Sequence, residues 1–375
     1  MKKVLALVLA LVMCFAMLAC KATTPAETTE AATEAAATVA AATEATAAPE
    51  EPATPETQPA TAGVCWYNFA DTFISSARQT LEDAAAASGW LTLSSADSAF
   101  DVPTQANNVN LFLTQNVDYL LVNNLDTAGT ANLIQQAKDA GNTIIFLNTN
   151  TPTDEEFAMY DNVWFISSLA DQSGTIMGNY AAKYWQEHPE ADRNGNGMLD
   201  YVMLIGFEWH YDSLARRDYS IAAVEAAGIK TNKVYEAVCN YSRADAMNTM
   251  QSILTSNADD VEAVFAANDD MALGAIEAMK AAGWFDDDGP KIPVCSVDAT
   301  AVGCEALAEG TLLGTALNNP VTLGSLAYRL MYCLQNGLEV TAENLDYDAG
   351  FKVEGHRIWI DYIPIDATNI ADATY

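Results

Sequence analysis

The rhythm of apolar and polar positions changes twice along this chain. Val4 to Leu18 is a continuous apolar run, residues 21 to about 61 carry no period, and from Gly63 onward short apolar runs alternate with amphipathic stretches. The runs Gly63–Phe69, Tyr119–Asn123, Thr143–Asn148, Tyr201–Gly206, Val234–Cys239, Ala263–Ala267, Pro293–Val297 and Leu313–Leu317 read as strands. The sequence after them has helical spacing, as in Phe73 to about Ser88 and in Ala131–Ala140. Apolar strands separated by helices predict parallel, doubly wound sheets covered on both faces. About ten strands are too many for one comfortable sheet, and a body of about 310 residues is too long for one core. The expected fold is α/β, with two Rossmann-like lobes.

The first sixty residues set the compartment. Lys2 and Lys3 precede an apolar run too short to span a bilayer comfortably, and the run ends at Met17-Leu18-Ala19-Cys20. This reads as a loose lipoprotein cleavage site (1–20) with Cys20 as the acylated first residue of an exported protein. A signal peptide cut elsewhere, or an uncleaved anchor, would use the same residues. Residues 21–61 are almost all Ala, Thr, Glu and Pro, which cannot bury a face and predict a disordered linker holding a folded body off the membrane.

Charge and cysteines narrow the partners. The chain has 17 basic and 50 acidic residues; without Lys2, Lys3, Lys21 and the seven Glu of the leader and linker, 14 basic and 43 acidic residues remain, a net −29. That disfavours nucleic acid and anionic membrane surfaces and suits an uncharged or cationic ligand. Cys65, Cys239, Cys295, Cys304 and Cys333 are odd in number and lack CxxC spacing, so no full disulfide framework is expected.

Open parallel sheets bind ligands beyond the carboxyl ends of their strands. Here those ends carry Tyr67-Asn68-Phe69-Ala70-Asp71, Asn148-Thr149-Asn150, Asn268-Asp269-Asp270, Asp298 and Asn318-Asn319. Any one of these Asp or Asn residues alone is an ordinary helix N-cap. Together they describe a rim of planar hydrogen-bonding groups suited to adjacent sugar hydroxyls. No GxSxG, Walker loop or GxGxxG occurs, and His210 has no nucleophile in a recognisable context, so no enzyme is expected.

The sharpest local motif is Asp192-Arg193-Asn194-Gly195-Asn196-Gly197-Met198-Leu199-Asp200. Oxygen side chains stand at positions 1, 3, 5 and 9, Gly at 6, and the Met198 carbonyl at 7, as in the first nine positions of an EF-hand calcium loop. Position 12 is Met203 rather than Glu, so a bound calcium would take its remaining carboxylate from a distant segment. An Asn-Gly-rich surface turn accounts for the same residues.

From about Gly63 to Ile370 the sequence resembles the galactose/glucose-binding protein family, receptor subunits of sugar-importing ABC transporters. The resemblance rests on Asp71 with Phe73, on Asn148, on His210, Asp212 and Arg216, on Asn268, on Asp298 within Val297-Asp298-Ala299, and on Asn318. It implies a type I periplasmic binding fold with a three-segment hinge. One lobe would comprise 62–168 and about 320–354, the other 169–319 and about 355–375 with the calcium loop. It implies that the polar residues ring D-glucose or D-galactose while Phe73 stacks on one face; Tyr241 stands where the family has Trp as the second plate. It implies a structural calcium held by Asp192, Asn194, Asn196, the Met198 carbonyl, Asp200 and, from a strand of the same lobe, Glu262. Asn196 replaces a family Asp. The implied partners of this monomer are an ABC permease or, in a sensory alternative, a chemoreceptor or membrane kinase; xylose or ribose are the alternative ligands.

Overall fold

The structure, a computed structural model, describes residues 57–373. The leader with Cys20, and the linker up to residue 56, lie outside the described residues. The first lobe runs β1 (Ala60–Trp66), α1 (Thr72–Ser88), β2 (Leu91–Asp97), α2 (Val102–Thr114), β3 (Tyr119–Val122), α3 (Thr130–Ala140), β4 (Thr143–Leu147), α4 (Asp154–Phe157) and β5 (Val163–Ser168). The second runs α5 (Ala170–Glu187), β6 (Leu199–Ile205), α6 (Tyr211–Ala226), β7 (Thr231–Val238), α7 (Arg243–Asn257), β8 (Ala263–Ala266), α8 (Asp269–Ala281), β9 (Val294–Val297), α9 (Ala301–Glu309) and β10 (Gly314–Leu317). The chain then returns to the first lobe as α10 (Pro320–Gln335), α11 (Ala342–Leu345), β11 (Phe351–Glu354) and β12 (Arg357–Ile360), and ends with β13 (Ile363–Ile365) in the second.

The two sheets repeat one plan. The first has the order β11-β12-β5-β4-β3-β1-β2 and the second β13-β10-β9-β8-β6-β7. In each, the first strand of the lobe lies between its second and third, the point at which an open α/β sheet parts its loops to admit a ligand. The central strands are buried on both faces, as in Tyr119–Val122 and Ala263–Ala266, which is why they read as unbroken apolar runs. Helices follow where capping chemistry starts them: Asp71 accepts from Ile74 N at α1, Asn268 from Met271 N at α8, and Asn319 from Thr322 N at α10.

Two boundaries differ from the sequence reading. Ala60 and Thr61, expected in the linker, belong to β1 and pair with Leu91 and Thr92. The last crossing, expected near 354, falls after Ile360, because β12 pairs in parallel with β5 of the first lobe. The crossings therefore lie between β5 and α5, β10 and α10, and β12 and β13. All five cysteines of the body are free and buried, and burial lifts the Cys65 thiol to about 12. Among the described residues no helix is long and apolar enough to cross a membrane.

Candidate functional site

All ten residues expected to meet the ligand line a single cavity of about 290 Å³ between the lobes: Asp71, Phe73, Asn148, His210, Asp212, Arg216, Tyr241, Asn268, Asp298 and Asn318. Tyr67 is the one lining residue that the sequence reading left without a role. Its hydroxyl donates to Asp71 Oδ2 at 2.8 Å, while Asp71 Oδ1 accepts from Ile74 N at 2.9 Å. The carboxylate that caps α1 is thus fixed at both oxygens, each with a lone pair to spare. Tyr67 and Asp71 stand four residues apart across the exit of β1, the only signal of the pair in the sequence.

The second lobe supplies the cavity's single cation. Arg216 Nη1 donates to the Ala267 carbonyl at 2.7 Å and Nη2 to the Tyr362 hydroxyl at 3.0 Å. Nε has no partner, nor has Nε2 of His210. Such orphaned buried groups are rare enough to call for a missing partner. Burial opposes the Arg216 charge, but Tyr362, Tyr241, Asp298 and Asp212 around it prevail and raise it. Burial and the nearby Arg216 push His210 down to about 3, so its imidazole is neutral at physiological pH. Its Nδ1 lies 2.6 Å from the Tyr241 hydroxyl.

Three carboxylates share that one cation. Burial raises Asp71, lifts Asp212 to about 6 against the pull of Arg216, and raises Asp298 well above the ordinary carboxylate range. Asp212 Oδ2 stands 3.9 Å from Arg216 Nη2, too long for a tight pair. Asp298 has φ +115°, a costly conformation for a side-chain-bearing residue and one that clusters at functional sites. Tyr241 also has positive φ, at +56°, and its ring lies flat on Gly206, where an added Cβ would fall 2.2 Å from the ring. Gly206 is what lets the ring lie there.

Hydrogen bonds and an aromatic pair join the lobes. Thr72 Oγ1 donates to Asp270 Oδ2 at 3.3 Å, and Ser168 Oγ to Asn318 Oδ1 at 3.1 Å. Phe100 of the first lobe meets Phe207 of the second edge to face, with ring centroids 5.1 Å apart. Phe100 stacks in turn on Tyr67, and Phe207 packs against Tyr241 and Trp209, so rings from both cavity walls join across the cleft.

The expected calcium residues also converge. Glu262 is fully buried, its Oε1 accepting from Arg193 N at 2.6 Å and its Oε2 from Asp200 N at 3.0 Å. Asp192 Oδ2 accepts from Gly197 N at 3.0 Å, while its Oδ1 is buried without a partner. Asn194 and Asn196 direct their Nδ2 atoms onto Asp200 Oδ2 at 2.6 and 2.7 Å, and Gly195 and Gly197 take φ +74° and +73° to close the loop. Among the described residues no group of three His, Cys, Asp or Glu side chains stands ready to hold a metal. That criterion leaves out amide and carbonyl oxygens, which hard cations accept. With those included, the set is of a kind that can hold a hard cation and leaves Asp192 Oδ1 without a partner, while the Asn194 and Asn196 side-chain oxygens accept from Asn196 N at 3.1 Å and Met198 N at 2.7 Å.

Residues 62–339 match the periplasmic binding protein domain. The chain is 30% identical over 311 residues to the D-galactose/methyl-galactoside binding periplasmic protein MglB of Haemophilus influenzae, covering 83% of this chain and 90% of that one. It is 28% identical over 247 residues to the ribose import binding protein RbsB of Salmonella typhimurium, covering 66% and 75%. The fold also matches an ABC transporter solute binding protein from Bacillus halodurans with bound myo-inositol, with TM-score 0.69, 25% identity, and coverage of 85% and 98%. With two parallel-sheet lobes, a polar cavity between them and these relatives, the chain belongs to the periplasmic binding proteins, the extracytoplasmic, non-enzymatic solute receptors of ABC transporters.

Proposed function

We propose that the inner cavity binds D-glucose or D-galactose and that the closed protein delivers the sugar to an ABC permease. The observation that carries this reading is the composition of the cavity. Three carboxylates accept only, Arg216 donates only, and three Asn side chains do both. A polyol, each of whose hydroxyls both donates and accepts, can pair with all of them. An anion would meet three carboxylates. Phe73 and Tyr241 suit the apolar C–H faces of a pyranose. The hexose assignment is supported by the residue-by-residue resemblance and by the galactoside named for the Haemophilus protein.

Titration calorimetry with D-glucose, D-galactose, D-ribose, D-xylose and myo-inositol tests it. Glucose or galactose is expected to bind with micromolar affinity, about −8 kcal/mol. Heat from ribose or xylose with none from either hexose would overturn the assignment.

Two further features belong to this reading. Asp192, Asn194, Asn196, the Met198 carbonyl, Asp200 and Glu262 would hold a calcium ion that ties the loop to the strand start at β8. Cys20 would carry the lipid that keeps the receptor at the membrane beside its permease; incorporation of labelled palmitate, lost in Cys20→Ala, is the expected result.

A further inference from the structure

The cleft holds a second, larger cavity of about 910 Å³ directly beside the first. The two share Asn148, from the end of β4, and Asp212, from the first turn of α6. Those two side chains, one from each lobe, form the common wall. The outer cavity is also built from both lobes: Asn150, Ser168 and Trp359 from the first, Tyr211 from the second. Its lining combines hydroxyls and amides with two aromatic rings and lacks the inner cavity's guanidinium and imidazole.

Two details show an ordered wall. Asn150 is 4% exposed, its backbone is held at φ +56°, and its Nδ2 donates to the Asn124 carbonyl at 2.8 Å, while its Oδ1 is buried without any partner. Trp359 is anchored edge-on against Phe165 at 5.4 Å. Tyr211, 59% exposed, stands at the helix start next to Asp212. The inner cavity is the smaller of the two. A ligand that outgrows the inner cavity would extend past Asn148 and Asp212 into the outer one.

We propose that the outer cavity is a second subsite, and that this receptor accepts sugars bearing a substituent: glycosides with an aryl aglycone, or disaccharides, whose first ring sits in the inner cavity. This rests on the hexose reading above. Asn150 Oδ1 and the Ser168 hydroxyl meet polar atoms of the second unit, and Trp359 and Tyr211 meet its flat face.

Calorimetry on the full chain tests it with D-galactose and D-glucose, the α- and β-phenyl glycosides of both, lactose and melibiose. At least one substituted sugar is expected to bind within about tenfold of its parent. Trp359→Ala and, separately, the exposed Tyr211→Ala are expected to weaken that ligand by at least about fivefold and the parent sugar by less than about twofold. A melting curve for each variant establishes that it is folded. Binding of the parents with no binding of any substituted sugar overturns the second subsite and leaves the hexose reading standing. Equal losses for parent and substituted ligand in both variants overturn it as well. Absence of binding by every compound overturns both readings.

Discussion

Phe207→Ala is expected to weaken sugar binding although Phe207 does not line the inner cavity. The Phe100–Phe207 contact joins the lobes at 5.1 Å with the rings 63° apart, near the favoured edge-to-face geometry. Such a pair contributes about 0.5–1.5 kcal/mol beyond the area it buries. If the open form prevails without ligand, apparent affinity scales with the closed fraction. Loss of the pair then raises Kd about two- to twelvefold. Phe207 also packs on Trp209 and Tyr241, so the single variant loses more than the cross-lobe contact. A double-mutant cycle with Phe100→Ala isolates the contact, because neither ring reaches the inner cavity. Calorimetry gives the four affinities, and stopped-flow fluorescence shows whether the loss appears as faster release. A coupling energy within about 0.3 kcal/mol of zero would refute the closure argument. So would an unchanged Kd in variants whose unliganded melting temperature falls.

Asp212→Asn should separate stability from binding. Burial lifts Asp212 to about 6 from an ordinary 3.8, so the fold holds this proton more tightly than the unfolded chain does. The stability from that proton is full below about pH 4 and is lost as pH rises through about 6. The Asn variant is therefore expected to melt higher than the parent at pH 7, with a flatter profile between pH 4 and 6, and to bind sugar more than about tenfold more weakly; an unaltered profile counts against the assignment. Tyr67→Phe removes the donor to Asp71 Oδ2 and is expected to lower the melting temperature, since a hydrogen bond to a charged group contributes about 1.5–3 kcal/mol, and to raise Kd about tenfold as the carboxylate loses its orientation. Chelator is expected to lower the melting temperature of the parent and not that of Asp192→Ala; equal melts of the parent with and without chelator would reduce the loop to an Asn-Gly turn.

The parts of this molecule legible in the sequence are those set by local chemistry. Parallel strands buried on both faces leave apolar runs, and helices that begin at once after them leave Asp or Asn caps, so Asp71, Asn268 and Asn319 mark strand ends. Of the strands that escaped notice, β5 is buried throughout like its neighbours but ends in two serines, and the others obey other rules. β2, with the sequence Leu-Thr-Leu-Ser-Ser-Ala-Asp, is an edge strand with half-exposed polar positions, and β11 to β13 are three or four residues long with antiparallel pairings. The misplaced crossing has the same origin: Glu354 ends an antiparallel strand, and nothing local shows that Arg357–Ile360 goes back beside β5. Phe100 and Phe207 were illegible for a different reason. Their contact exists only between lobes, and no residue near either one encodes it.

Closure itself follows from what the cavity leaves unpaired. The Phe100–Phe207 contact, at about 0.5–1.5 kcal/mol, favours the closed arrangement with or without sugar. Against it stand Arg216 Nε and His210 Nε2, each buried without a partner and each costing about 1–3 kcal/mol when nothing fills the site. Asp71, Asp212 and Asp298 add mutual repulsion around a single guanidinium. Set against the aromatic pair and the Thr72–Asp270 and Ser168–Asn318 bonds, these costs are expected, on the proposed reading, to open the empty protein. A polyol reverses the balance by donating to the carboxylates and accepting from the two orphaned nitrogens, and only then does the aromatic contact add to a net attraction. A contact several times stronger would hold the lobes shut over an empty cavity and slow both capture and release. On the proposed reading, the small energy of the Phe100–Phe207 contact leaves closure dependent on the ligand.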